Sequence, residues 1–135
     1  MNEQMVKEGM RAIICCRAAN GDNASLERQK EIALAYAKEN GYNVSVMFTG
    51  YGAMDSLVYH SLRLRAKYRE FDILLVKDIE VFGDGAVEIT HEVNFLNQNG
   101  VKVFSLKDGE LNVETLPQIF RKGFRLVKKN FAGAY

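Results

Sequence analysis

Arg17 closes an apolar run in the stretch Arg11 to Gln29, which reads RAIICCRAANGDNASLERQ and also carries Cys15, Cys16 and Ser25. A guanidinium can hold a phosphate through paired N–H bonds, and a hydroxyl or thiol can attack one, so this stretch holds the ingredients of phosphoryl chemistry. Each has a plainer use. A serine in the turn before a helix is more often a cap than a nucleophile, and cysteine within an apolar strand is usually an inert core residue. Arg17 reads equally well as an anion ligand or as a strand-end arginine held by a carboxylate such as Glu80. His60 and His91 have no Cys or His neighbours at ligand spacing, so no metal is expected. With neither a glycine-rich phosphate loop nor a GxGxxG fingerprint, no cofactor is expected either.

The elements that must position these residues alternate between short runs rich in Ile and Val and longer stretches with helical spacing, the pattern of βα units around a parallel sheet. Strands are expected over Arg11 to Cys16, Asn43 to Phe48, Asp72 to Lys77 and Val101 to Leu106. Ile73-Leu74-Leu75-Val76 has no polar alternation, which predicts a central strand covered on both faces. Helices are expected from Ser25 to Asn40, with Leu26, Ala33, Tyr36 and Ala37 inward and Gly41 ending it in the left-handed region. A weaker one covers Leu57 to Tyr68 with Leu62 and Ala66 inward. A third carries Ala86, Ile89, Val93 and Leu96 and closes at Asn99-Gly100.

The last segment differs in character. Thr115-Leu116-Pro117-Gln118 reads as a capping box with Thr115 at the cap and the chain's single proline in the first turn. A helix over about 115–132 would align Ile119, Phe120, Phe124, Val127 and Phe131 on one face. It would also display Arg121, Lys122, Arg125, Lys128 and Lys129, a candidate surface for DNA backbone contact. Gly123, costly by about 1 kcal/mol inside a helix, suits close approach of a second helix there.

The 135 residues, 47% of them apolar, suffice for one core, so a single domain over 1–135 is expected, with the core at about 10–108 and no DNA-reading domain. A net charge of +1 excludes a globally basic nucleic-acid binder and leaves only local patches. The two cysteines are sequence neighbours, and successive strand residues point to opposite faces, which argues against a disulfide framework and for a reducing, cytoplasmic setting. The opening MNEQMVKEGM lacks the apolar core of a signal peptide.

The stretch from Arg11 to Gln29 resembles the opening of the serine recombinases, the resolvases and DNA invertases. Their turn after the first strand reads Tyr-x-Arg-Val-Ser-Thr, which falls on Cys15, Cys16, Arg17, Ala18, Ala19 and Asn20. Ser25, Leu26, Glu27 and Gln29 match the family's Ser-Leu-Glu-x-Gln. The third strand and its turn, Leu74 to Asp84, match a pattern ending Leu-Asp-Arg-Leu-Gly-Arg. The resemblance implies a three-layer α/β fold with a mostly parallel sheet of four or five strands, helices on both faces and a C-terminal helix. It also implies a site in which a serine attacks the DNA phosphodiester and arginines support the charge on phosphorus.

Several places in that implied site hold the wrong residue. Ala19 replaces the nucleophilic serine, Gly50 an aspartate, and Val81 and Asp84 two arginines, while Arg17, Gln29 and Glu80 remain as remnants of the pocket. The resemblance therefore implies a resolvase-type domain tied to DNA recombination that has lost strand cleavage. Its expected role is that of a dimerising or regulatory partner, as a homodimer or paired with an active recombinase through the C-terminal helix, with weak DNA contact. One alternative is an active strand-transfer enzyme using a substitute nucleophile or a site completed in trans. The other is a small-ligand-binding α/β module, since parallel α/β sheets bind ligands beyond the carboxyl ends of their strands.

Overall fold

The computed structural model describes residues 9–83 and 85–122, and within them the chain folds as three layers around one five-stranded sheet. The elements run β1 (Arg11–Ala18), α1 (Asn23–Glu39), β2 (Asn43–Tyr51), α2 (Ser56–Lys67), β3 (Ile73–Val76), α3 (Ala86–Gln98), β4 (Lys102–Ser105) and β5 (Gly109–Leu111), with a 3₁₀ turn at Ile79–Phe82 between β3 and α3. The sheet order is β2-β1-β3-β4-β5. Every pairing is parallel except β4 with β5. The four expected strands are present, and the fifth is the short return strand after Asp108. Its three residues, Gly-Glu-Leu, carry no strand pattern that a reading of periodicity would find.

Period-two alternation divides the strands between two cores. Ala12, Ile14 and Cys16 of β1, with Ile73 and Leu75 of β3, face Ala33 and Ala37 of α1. Ile13, Cys15, Leu74 and Val76 face the other way, against Leu62 and Ala66 of α2, Ile89, Val93 and Leu96 of α3, and Leu116. All four residues of β3 are buried, as the unbroken apolar run requires. The cysteines accordingly lie in different cores, both as free thiols.

Helix ends are set by residues close to those expected. Gly41 and Gly100 take positive φ after α1 and α3, as the punctuation predicts. The cap of α1 is Asp22, whose side chain accepts from the Ser25 N–H, so Ser25 is inside the helix and not its cap. Asp55 likewise caps α2 through the Val58 N–H. Along α3 the apolar stripe is interrupted by Glu92, which is buried and forms an ion pair with Arg63 of α2. Tyr36, expected on the inner face of α1, is half-buried and stacks on Phe104 with ring centroids 5.1 Å apart.

A helix starts at residue 116 and is described to residue 122. Leu116 is fully buried and Ile119 and Phe120 pack against the same core as α2 and α3, so this helix begins by docking on its own domain. The capping box does not form as expected. The Asn112 side-chain oxygen accepts from the Glu114 and Thr115 N–H groups in the turn before the helix, while the Thr115 hydroxyl turns back to donate to the Glu110 carbonyl. Gly123, Phe124, Arg125, Val127, Lys128, Lys129 and Phe131 lie outside the described residues. No helix among the described residues is long and apolar enough to cross a membrane.

At the opposite end of the sheet, Asp72 accepts three hydrogen bonds from Arg11, from the backbone N–H at 2.8 Å and from the guanidinium at 3.1 and 3.2 Å. Hydrogen bonding to Arg11 lowers the Asp72 pKa, so the stability it lends is complete above the unfolded value of about 3.9 and fades as pH falls through the folded one. Asp72→Asn should therefore lower the melting temperature at pH 7, with the gap to wild type closing below about pH 4; a gap independent of pH would show that the pair contributes nothing. Leu74→Ala, in the fully buried centre of β3, should cost roughly 2–5 kcal/mol in urea denaturation.

Candidate active site

Parallel pairing brings the carboxyl ends of the strands to one edge of the sheet. Arg17 lies opposite Gly50 across the β1–β2 pair, and Cys15 opposite Val76 across β1–β3. A crevice of about 450 Å³ opens there, lined by Arg17, Ala18 and Ala19 from β1 and its turn, Asp22 and Ser25 from the start of α1, Gly52 and Ala53 after β2, and Lys77, Asp78, Glu80 and Val81 after β3. The crevice thus gathers Arg17, Ala19, Glu80 and Val81, four of the positions that the resemblance assigns to the family's pocket. Gly50 stands beside it under the Arg17 side chain, and Asp84 lies outside the described residues.

The Arg17 guanidinium is committed to its own backbone. Nε donates to the Gly52 carbonyl at 2.9 Å, and Nη2 donates to the carbonyls of Tyr51 at 2.7 Å and Ala53 at 3.1 Å. This corrects the reading of Arg17 as held by a surface carboxylate: three carbonyls hold it, and no ion pair with Glu80 forms among the described residues. Gly50 is what permits the arrangement, because a Cβ at that position would overlap Nη1 and the guanidinium carbon. A side chain at 50 and this placement of the Arg17 head are mutually exclusive.

Gln29 is buried and works on the backbone of Arg17. Its Nε2 donates to the Arg17 carbonyl at 2.7 Å and its Oε1 accepts from the Arg17 N–H at 3.2 Å. The amide thus imitates a neighbouring strand where β1 curls out of the sheet, and it satisfies both polar groups of a half-buried residue. Nε2 also donates to the Ser25 hydroxyl at 3.2 Å. Ser25 therefore holds the only side-chain hydroxyl among the residues lining the crevice, and its oxygen is engaged by an amide, not by a base.

Charge in the crevice is unfavourable to phosphate. Arg17 and Lys77 face Asp22, Asp78 and Glu80, three carboxylates against two cations. Asp78 is itself buried and caps the 3₁₀ turn, accepting from the Glu80 N–H at 2.9 Å. Ala19 is exposed at the rim and offers only a methyl group, while Val81 is buried in the core and its carbonyl accepts from the Met54 N–H at 2.8 Å. The thiols are equally unsuited to attack, because burial pushes Cys15 up to about 12 and Cys16 up to about 11.

The family model described as "Resolvase, N terminal domain" matches residues 12–128, and the chain belongs to that family. It is a resolvase-type recombinase domain related to DNA recombination. The fold is shared with the N-terminal catalytic domain of TP901-1 integrase, at 18% identity over 90% of this chain and 98% of that one, with a TM-score of 0.67. A resolvase family site-specific recombinase from Streptococcus pneumoniae aligns at 16% identity over 91% of this chain and 95% of that one, also with a TM-score of 0.67. The C-terminal catalytic domain of ISC1926 TnpA, described as an IS607-like serine recombinase, aligns at 22% identity over 93% and 84%, with a TM-score of 0.61. No match was found among curated proteins.

Removing the Gln29 amide should strand two backbone groups of Arg17. Gln29→Leu, which keeps most of the volume, should cost about 1–3 kcal/mol in urea denaturation and speed hydrogen exchange at the Arg17 amide. Unchanged exchange there would mean that the amide does not hold the strand end.

Proposed function

We propose that this chain is a recombinase catalytic domain that has lost strand cleavage and acts as a dimerising or regulatory partner in DNA recombination. The observation that carries the reading is the state of Arg17. In the reaction that the family resemblance implies, a guanidinium must face the phosphate and support charge as it builds on phosphorus. Here the guanidinium is spent on the carbonyls of Tyr51, Gly52 and Ala53, beside an alanine in the nucleophile's place and an excess of carboxylates. Losing one preorganised donor typically costs on the order of 10²–10³ in rate, and here the attacking oxygen is missing as well.

Pairing with a second subunit and weak DNA contact belong to the same proposal. Arg121 and Lys122 are exposed on the last described helix, and they open the basic series that continues in sequence through Arg125, Lys128 and Lys129. Phosphate contacts by so few cations give binding that weakens steeply with salt. The Ser25 hydroxyl is the one group that favours the alternative of a substitute nucleophile, since it lines the crevice with Arg17 and Lys77.

Mass in solution, titration of labelled duplex DNA at two salt concentrations, and a denaturing gel for covalent protein–DNA adducts test these readings together. A dimer that binds duplex weakly and salt-sensitively, with no adduct, is the expected result. Ala19→Ser alone should still yield no adduct, because Arg17 stays locked and the crevice keeps its carboxylates. An adduct with the native chain that disappears on Ser25→Ala would establish the substitute nucleophile. A monomer indifferent to DNA would overturn the partner role.

A further inference from the structure

A second crevice opens at the same strand edge on the α1 side of the sheet, and its chemistry is unlike that of the first. It encloses about 270 Å³ between Ile32 and Ala33 of α1, Cys16 of β1, and Leu106 after β4. Lys77 and Lys107 stand in its lining, and no carboxylate does. The two lysines belong to adjacent strand extensions joined by a hydrogen bond from the Lys107 N–H to the Lys77 carbonyl at 2.9 Å. Neither side chain makes an ion pair among the described residues. Lys30 is near enough to act electrostatically on Cys16, but it is already paired with Glu27 at 2.9 Å.

The position of the crevice is set by topology. The chain leaves β1 for β2 on one side, and β3 then pairs on the other, so the order reverses between β1 and β3. Such a reversal splays the connecting segments apart beyond the strands' carboxyl ends and leaves a ligand crevice. A largely apolar wall that includes Lys77 and Lys107 and no carboxylate suits an apolar body carrying a negative group. The volume, somewhat less than twice that of a cavity able to hold benzene, admits a body of roughly ten heavy atoms.

We infer that the crevice between α1 and the ends of β1, β3 and β4 is a binding site for a small aromatic or branched carboxylate. The apolar body lies on Ile32, Ala33 and Leu106, and the carboxylate meets Lys77 and Lys107. This site does not require cleavage in the neighbouring crevice, with which it shares Lys77.

Phenylpropionate is a suitable probe, with phenylpropanol, inorganic phosphate and a short duplex as comparisons, followed by amide NMR on the intact chain. Phenylpropionate should shift the Cys16, Ala33 and Leu106 amides saturably, and the Lys77→Ala, Lys107→Ala double variant should weaken it about tenfold. Ile32→Glu, at an exposed wall position, should abolish the shifts without unfolding the chain. Equal affinity for the alcohol would remove the role of the lysines, and equal response to phosphate would reduce the crevice to a general anion site. Shifts at Lys77 and Lys107 with duplex but none with phenylpropionate would assign the lysines to DNA. Any of these, or absence of saturation, overturns the inference.

Discussion

Strand β1 has neither a free edge nor a free face: β2 and β3 pair with its two sides, α1 covers one face and α2 with α3 the other. Residues 12–16 are buried, and all five are apolar or thiol-bearing, so the strand cannot slip by one position without exchanging the two cores. That constraint fixes where Arg17 leaves the sheet. It also fixes what faces it, because the register that sets Arg11 beside Asn43, through one shift after Ala12, sets Arg17 beside Gly50. The geometry at the strand edge is therefore inherited from core packing and survives changes in the residues displayed there.

Arginine at such an edge has two uses, and local composition decides between them. A carboxylate on the neighbouring strand would hold the guanidinium by charge and leave N–H groups free for a ligand. Without a side chain at position 50, the head descends onto the strand's continuation and meets carbonyls at 51–53. Gln29 fixes the backbone of the same residue from the other side. Arg17 and Gln29 are thus parts of a structural clamp joining β1, the turn after β2 and α1.

Much of this architecture was legible in the sequence because periodicity encodes burial. The continuous Ile73–Val76 run, the inner faces of α1 and α2 and the glycines after α1 and α3 all stand where their patterns put them. Glu92 was not legible, since a charge within an apolar stripe is explained only by Arg63 arriving from a helix distant in sequence. The turn in which Asn112 engages Thr115 was not legible either, because it follows a three-residue strand that leaves no periodic trace. At the site, the residue types at Ala19 and Val81, a methyl group and an apolar branch, could be read directly. The fate of Arg17 could not, because it depends on backbone carbonyls, which every residue possesses and no sequence pattern marks.

Lys77 lines both crevices, and its position explains how one edge carries two chemistries. It is the first residue beyond β3, where the apolar strand ends and side chains reach solvent. On the α1 side it stands with a second lysine, Gln29 and apolar or thiol-bearing residues, and no carboxylate lines that crevice. On the other side stand Asp22, Asp78 and Glu80, so the same cation sits within an excess of negative charge. A phosphate in the first crevice would face three carboxylates beside two cations. On the α1 side the same lysine stands with Lys107 beside apolar residues, the setting in which an anion with an apolar body would be held.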